Sequence, residues 1–253
     1  MRITNYMKKL LTIFTFAILL AVTACQQMEP LVEPGVVIGP EFIARIEEFD
    51  PETKTALDGN SVVWLAEDQI AVFQGAAATD KYQVSDDCVG TTSGTFGIVA
   101  KGETASGETF NANIAIYPYQ DGLAVTRTSA TEYQITGVTI PSTQTYAANT
   151  FSNGSFLMAA ITDGLTDHTL NFKNLCGTLK LQLKGTMKVK SVMVQGHDSE
   201  RLSGEATVTL SSDRSSPIIE MSSDAAVTAT LDCGEGVQLS ESTTNEFIVT
   251  LPP

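Results

Sequence analysis

The chain has 253 residues, 15 basic and 29 acidic side chains, a formal charge of −14, and 43% apolar residues. The acidic excess excludes nucleic acid as a partner and opposes direct attraction to anionic lipids, while the apolar content is too high for wholesale disorder. The length suits one large domain or two small ones, and 19 glycines among many threonines, serines and valines point to strands and turns.

Arg2, Lys8 and Lys9 open the chain with no acidic neighbour, and an apolar run from Leu10 to Val22 follows, broken only by Thr12 and Thr15. A basic start, a short apolar stretch and small residues before a cleavage point predict a secretory signal peptide over 1–24. The run falls short of the ~20 apolar residues that span a bilayer. Val22-Thr23-Ala24-Cys25 resembles the bacterial lipobox, in which the cysteine is acylated and becomes the new N-terminus. On that reading Cys25 carries lipid, and two or more acyl chains give stable anchoring where one does not. The alternative is an ordinary signal peptide in which Cys25 is incidental. Losing 1–24 removes three basic residues and no acidic one, so the remaining chain is more acidic still. Residues 25–40 hold Pro30, Pro34, Pro40, Gly35 and Gly39, which prevent regular structure and predict an extended tether.

From Phe42 the pattern changes to period two. Phe42, Ala44 and Ile46 alternate with Ile43, Arg45 and Glu47, which predicts a first strand. Asp50-Pro51 turns the chain, Thr53-Lys54-Thr55-Ala56-Leu57 is a second extended piece, and Asp58-Gly59-Asn60 is a hairpin signal before Ser61-Val62-Val63-Trp64-Leu65. Further strands are predicted at 69–73, 81–84, 94–99, 112–117, 132–135 and 137–140, with Pro118 and Pro141 stopping two of them. Residues 145–155 read as a loop with one helical turn. Phe156-Leu157-Met158-Ala159-Ala160-Ile161 is an unbroken apolar run of strand length, expected to be buried on both faces.

A second unit begins near Asp167. Leu179, Leu181 and Leu183 alternate with Lys180, Gln182 and Lys184, which predicts one face in the core and one in water. Strands follow at 189–194, 205–210, 217–221, 226–231 and 246–251, with Ala206, Val208 and Leu210 pointing inward. No segment shows a sustained helical period, so the chain is expected to be all-β, with two β-sandwiches in series: 41–165 and 166–253. It halts at Pro252-Pro253 directly after a strand, and the second domain is expected to be incomplete.

Beyond Cys25 the cysteines are Cys88, Cys176 and Cys233. Cys176 and Cys233 share the C-terminal half and are the candidate disulfide pair; the other reading leaves two buried free thiols. Signals for catalysis are weak. His168 and His197 have only the adjacent Asp167 and Asp198 at metal-ligand spacing, and solvated loop histidines are the commoner case. Ser93 lacks a Gly-x-Ser-x-Gly elbow, and Asp86-Asp87 and Glu47-Glu48 are neighbours whose side chains point apart on a strand. Cys-x-x-Cys and phosphate-loop patterns are absent. No catalytic residue, metal or cofactor is assigned. Asn153-Gly154-Ser155 is a glycosylation sequon by pattern alone, and Trp64 reads most simply as core.

Thr53-Lys54-Thr55-Ala56-Leu57-Asp58-Gly59, Val63-Trp64 and Asp68-Gln69-Ile70-Ala71-Val72-Phe73 resemble the opening of the fimbrillin-like lipoproteins of Bacteroidetes, relatives of the type V pilins. Ala115-Ile116-Tyr117-Pro118, Val138-Thr139-Ile140-Pro141, Phe172-Lys173-Asn174-Leu175-Cys176-Gly177 and Phe247-Ile248-Val249-Thr250-Leu251-Pro252-Pro253 extend the resemblance. These are strand and turn signatures, specific for a fold family rather than for a role. The resemblance implies two tandem transthyretin-like/Ig-like β-sandwich domains, exported as a lipoprotein to the outer membrane and cell surface. In pilus-forming members a protease cuts after a basic residue near the start of the first domain, freeing a strand whose groove a neighbouring subunit fills. Carried onto this chain, the processed bond is Arg45–Ile46, with Lys54 the next basic residue; the alternative is that Arg45 is a solvent-facing strand residue. The expected role is a structural or adhesive fimbrial subunit, or its lipid-anchored base, with other subunits as partners. The runner-up is a stand-alone surface lipoprotein that binds a host or bacterial glycan or protein ligand.

Overall fold

The computed structural model describes residues 39–47, 62–102 and 109–253. The predicted signal peptide, Cys25, nearly all of the tether, Lys54 and the Asp58-Gly59-Asn60 hairpin lie outside the described residues. The chain is all-β, and among the described residues its one helical element is a 3-10 turn at Asp86–Cys88.

Sixteen strands are described. They are β1 (Phe42–Ile46), β2 (Gln69–Ala76), β3 (Asp80–Val84), β4 (Ser93–Ala100), β5 (Thr109–Tyr117), β6 (Ala124–Arg127), β7 (Glu132–Ile140) and β8 (Thr143–Thr145), then β9 (Met158–Ile161), β10 (Thr169–Asn174), β11 (Gly177–Leu183), β12 (Lys188–Gln195), β13 (Gly204–Ser211), β14 (Ile218–Met221), β15 (Thr228–Gln238) and β16 (Asn245–Leu251). Seven of them close into a barrel in the order β1-β10-β9-β5-β2-β3-β4. Closure removes the sheet edges that a sandwich would leave open. Where two separate sheets are expected from the sequence, hydrogen bonding runs without a break, because β1 bonds β4 on one side and β10 on the other.

The barrel strands carry buried apolar residues both inside the barrel and on the side that the outer sheet covers, since Ile70 and Phe73, three apart on β2, face opposite ways. Phe42, Ile70, Phe73, Phe96, Ile114, Leu157 and Phe172 have no exposed surface, and all four residues of β9 are buried, as its unbroken apolar run predicts. A four-stranded sheet, β14-β13-β7-β6, lays its apolar face on this core through Val125, Tyr133, Ile135, Val138, Val208 and Leu210. The Phe110 and Tyr133 rings meet edge-on at 5.5 Å.

A second, smaller cluster (Ala229, Leu231, Cys233, Phe247 and Val249) sits between the β12-β15-β8 sheet and the β11-β16 pair. The two clusters do not divide the chain at 165/166. Strand β10 closes the barrel, β13 and β14 extend the sheet begun by β6 and β7, and β8 pairs in parallel with β15. Strand pairing joins surfaces that match in pattern, whatever their distance along the chain. The expected core-and-water alternation of β11 holds only at its end: Leu181 and Leu183 are half-covered by the second cluster, whereas Leu179 is 36% exposed and its neighbour Lys180 is more covered.

Other differences are local. Residues 62–65 form no strand, although Trp64 is buried as core. The two strands expected at 132–135 and 137–140 are one, β7, with a register shift opposite Ala206 and Val208. Gly137 within it adopts φ +77°, and a Cβ there would stand 2.5 Å from the Gly122 carbonyl oxygen, so only glycine fits.

A side chain joins β8 to β16. Gln144 is buried; its Nε2 donates to the Thr250 carbonyl at 2.6 Å and its Oε1 accepts from the Thr250 N–H at 2.9 Å. The carboxamide thereby mimics one rung of a β-ladder. Ser155 Oγ bonds Thr250 Oγ1 at 3.0 Å and donates to the Ser152 carbonyl, completing a buried polar network. Gln144→Ala leaves the Thr250 N–H and C=O buried without partners. The expected loss is about 1–3 kcal/mol per group, read from the midpoint of urea denaturation.

Candidate functional site

The strongest candidate is the seam strand β1 and the barrel end beneath it. Its alternation places Phe42, Ala44 and Ile46 inside and Ile43, Arg45 and Glu47 outside. Phe42 fills a pocket where its ring meets Tyr82 at 5.1 Å and His168 at 5.2 Å, both edge-on. Ala44 is fully buried opposite Gly94 of β4, where two small residues let the backbones pack closely.

The strand runs parallel to β10, with Ala44 beside Leu170 and Ile46 beside Phe172, and antiparallel to β4, with Arg45 opposite Ser93. Further backbone bonds tie Ile43 N to His168 O at 2.9 Å, Ile46 N to Thr92 O at 2.9 Å and Glu47 N to Phe172 O at 3.0 Å. Arg45 is solvent-facing between two buried neighbours, and its main chain lies inside this ladder. A protease needs an extended segment free of its sheet, so cleavage at Arg45–Ile46 requires β1 to leave its slot first.

Below Ile46 the barrel end holds a cleft of about 190 Å³ lined by Trp64, Asp68, Tyr117, Phe151 and Met158. Trp64 stands edge-on to Phe96, Tyr117 and Phe172 at 4.9, 5.4 and 5.8 Å. Asp68 is 6% exposed, and its carboxylate accepts from Leu65 N at 2.7 Å and from the Tyr117 hydroxyl at 3.0 Å. Burial raises the Asp68 carboxyl above its ordinary value, and these two bonds only partly offset the effect. The same burial, together with the Asp68 charge, pushes the Tyr117 hydroxyl strongly upward. The sequence shows Glu67-Asp68 only as a turn before β2; nothing in it marks Asp68 as the buried member.

The remaining candidate residues are scattered. His168 packs on Phe42, while His197 sits 3.6 Å from Asp198 with both side chains in solvent. Asp167 organises its own turn, accepting from Thr169 N at 2.9 Å, and Asn113 Nδ2 holds the same turn through the Asp167 carbonyl at 2.9 Å. Asp86 and Asp87 are exposed in the 3-10 turn, and Ser93 is exposed at the start of β4. Among the described residues no group of three or more His, Cys, Asp or Glu converges as metal ligands. Cys176 and Cys233 are free buried thiols in different clusters, so the structure does not bridge them. Burial pushes the Cys176 thiol up to about 11, and burial with the Asp232 charge raises Cys233, so both stay protonated near neutral pH.

Comparison with protein-family models, curated proteins and solved structures finds no match to this chain.

Two outcomes follow from this geometry. Phe42→Ala empties a fully buried aromatic pocket at the seam and is expected to cost about 3–5 kcal/mol in chemical denaturation. The raised Asp68 carboxyl means that the folded chain binds this proton at a higher pH than the unfolded chain does. Its ionisation therefore opposes folding at neutral pH, and that penalty is relieved as pH falls through the raised value. Asp68→Asn is expected to be at least as stable as the parent at pH 7, with the difference shrinking toward pH 4. Asp68→Ala, which strands the Leu65 N–H, loses about 1–3 kcal/mol.

Proposed function

We propose that the chain is a lipid-anchored cell-surface subunit of the fimbrillin-like kind, joined to its neighbours by strand addition. One observation carries this reading. The strand nearest the N-terminal tether, β1, is also the one that closes the barrel, and both its partners are remote in sequence, at 93–100 and 169–174. Without β1, the facing edges of β4 and β10 are unpaired and a slot shaped for Phe42, Ala44 and Ile46 is bare. An extended segment of another subunit restores both the ladder and the apolar contacts.

Lipobox chemistry at Cys25 supplies the anchor, and the Arg45–Ile46 bond is where processing would release the strand. On this reading the barrel with its outer sheet and the smaller second cluster stand in for the two transthyretin-like/Ig-like lobes of such subunits, with strands of the two chain halves interleaved, on a surface in contact with host or bacterial ligands. Outer-membrane localisation is the part of this reading that the resemblance to those lipoproteins supports, with Cys25 as the anchor point.

Mass spectrometry of the mature N-terminus from cell envelopes tests the assignment. An acylated Cys25 marks the anchored base, and a start at Ile46 with SDS-resistant multimers marks the polymerising subunit. A Cys25→Ala chain is expected to lose the envelope fraction. Retention of that variant in washed membranes, with no multimers in the parent, overturns the reading.

A further inference from the structure

A shallow groove of about 500 Å³ lies where the end of the barrel meets the outer sheet. Lys81 of β3, Tyr119 and Asp121 after β5, and Thr139 of β7 line it, with Pro118 and Pro141. The segment carrying Tyr119 is held rigidly. Tyr119 N donates to Gln69 O at 2.8 Å, continuing the barrel ladder past the end of β5. Gln120 reaches across to β7, its Nε2 donating to Thr139 O at 3.0 Å and its Oε1 accepting from Thr139 N at 2.8 Å. Behind it Gly137 packs against the Gly122 carbonyl, where no side chain fits. The backbone that carries a partly exposed aromatic ring and a solvent-facing carboxylate is thus pinned on both sides.

The groups on this frame suit one kind of ligand. Lys81 Nζ stands over the Tyr119 ring, 3.9 Å from its centroid, so an ammonium group covers that face. Such a contact is weak at an exposed site, and a flat apolar surface can replace it. The Tyr119 hydroxyl hydrogen-bonds the Asp121 carboxylate, which places a strong acceptor at the ring's edge. An aromatic plane, a fixed acceptor and a nearby donor complement a sugar ring, whose C–H face is apolar and whose rim carries hydroxyls. One cation and one anion leave the groove without net charge, and the chain's −14 disfavours acidic glycans.

We propose that this groove binds a neutral saccharide, with Tyr119 as the stacking platform and Asp121 and Lys81 bonding its hydroxyls. Trp64, the single tryptophan, is buried, so the aromatic platform of this groove is Tyr119. The site lies apart from β1 and does not depend on whether the chain is built into a fibre.

Saturation-transfer NMR on the full chain, with lactose, maltose, cellobiose and N,N′-diacetylchitobiose at about 10 mM, is the test. At least one is expected to bind, with a dissociation constant of about 1 mM or tighter. Tyr119→Ala is expected to weaken binding by about tenfold or more, and Tyr119→Phe, which keeps the plane, by only about threefold. Asp121→Ala is exposed enough to spare the fold and is expected to cost about fivefold, so it stands in should Tyr119→Ala disturb folding. No transfer to any of the four sugars overturns the proposal. So does binding that is unchanged in Asp121→Ala and in a folded Tyr119→Ala chain.

Discussion

The two-sided hydrogen bonding of β1 is the constraint on which the rest of the barrel depends. Strands β4 and β10 come from distant parts of the chain and share no direct ladder; five residues between them complete the circuit. Each inward residue contributes apolar contact, and each peptide group answers a partner that would otherwise face water or a foreign strand. A strand so short has little stability of its own, since a lone pair of strands is marginal in water. Its place comes from a slot built by the other six, which supplies both its hydrogen-bond partners and its apolar contacts.

Two cores rather than one give the molecule an uneven build. The barrel and its outer sheet share a large cluster with many aromatic rings in edge-on contact, whereas the second cluster has five buried members and a ring of half-covered residues around them. The polar network at Gln144, Ser155 and Thr250 binds the two regions. Because it is fully satisfied, it fixes the register of β16 where apolar contact alone would tolerate sliding.

Much of this was legible in the sequence, and the illegible parts share a cause. The alternation at Phe42, Ala44 and Ile46, the apolar run of β9 and the inward set Ala206, Val208 and Leu210 declare themselves because each depends only on period-two burial. Strand β6 does not, because Val125 is its single buried residue and the rest is polar or small. Strand β7 reads as two because Gly137 looks like a break, though the ladder carries it through as a bulge. Val62-Val63-Trp64-Leu65 has strand composition but forms no strand; one pair of backbone bonds runs from Trp64 to Gly90 and Thr91, and Trp64 alone is buried, among the rings around it. Closure of the barrel, the crossing of the 165/166 boundary and the burial of Asp68 are all long-range pairings, and local pattern holds no record of them.

The geometry of β1 also bears on mechanics. A strand gripped on both flanks and drawn along its own axis must break its bonds together, as in shear, whereas one pulled sideways opens them one at a time like a zip. The chain upstream of Phe42 leads straight into the end of this strand, so load arriving from that side falls first on the shear-loaded rungs between Ile43 and Glu47. A pull on the chain before Phe42 is therefore resisted by all the rungs of β1 at once.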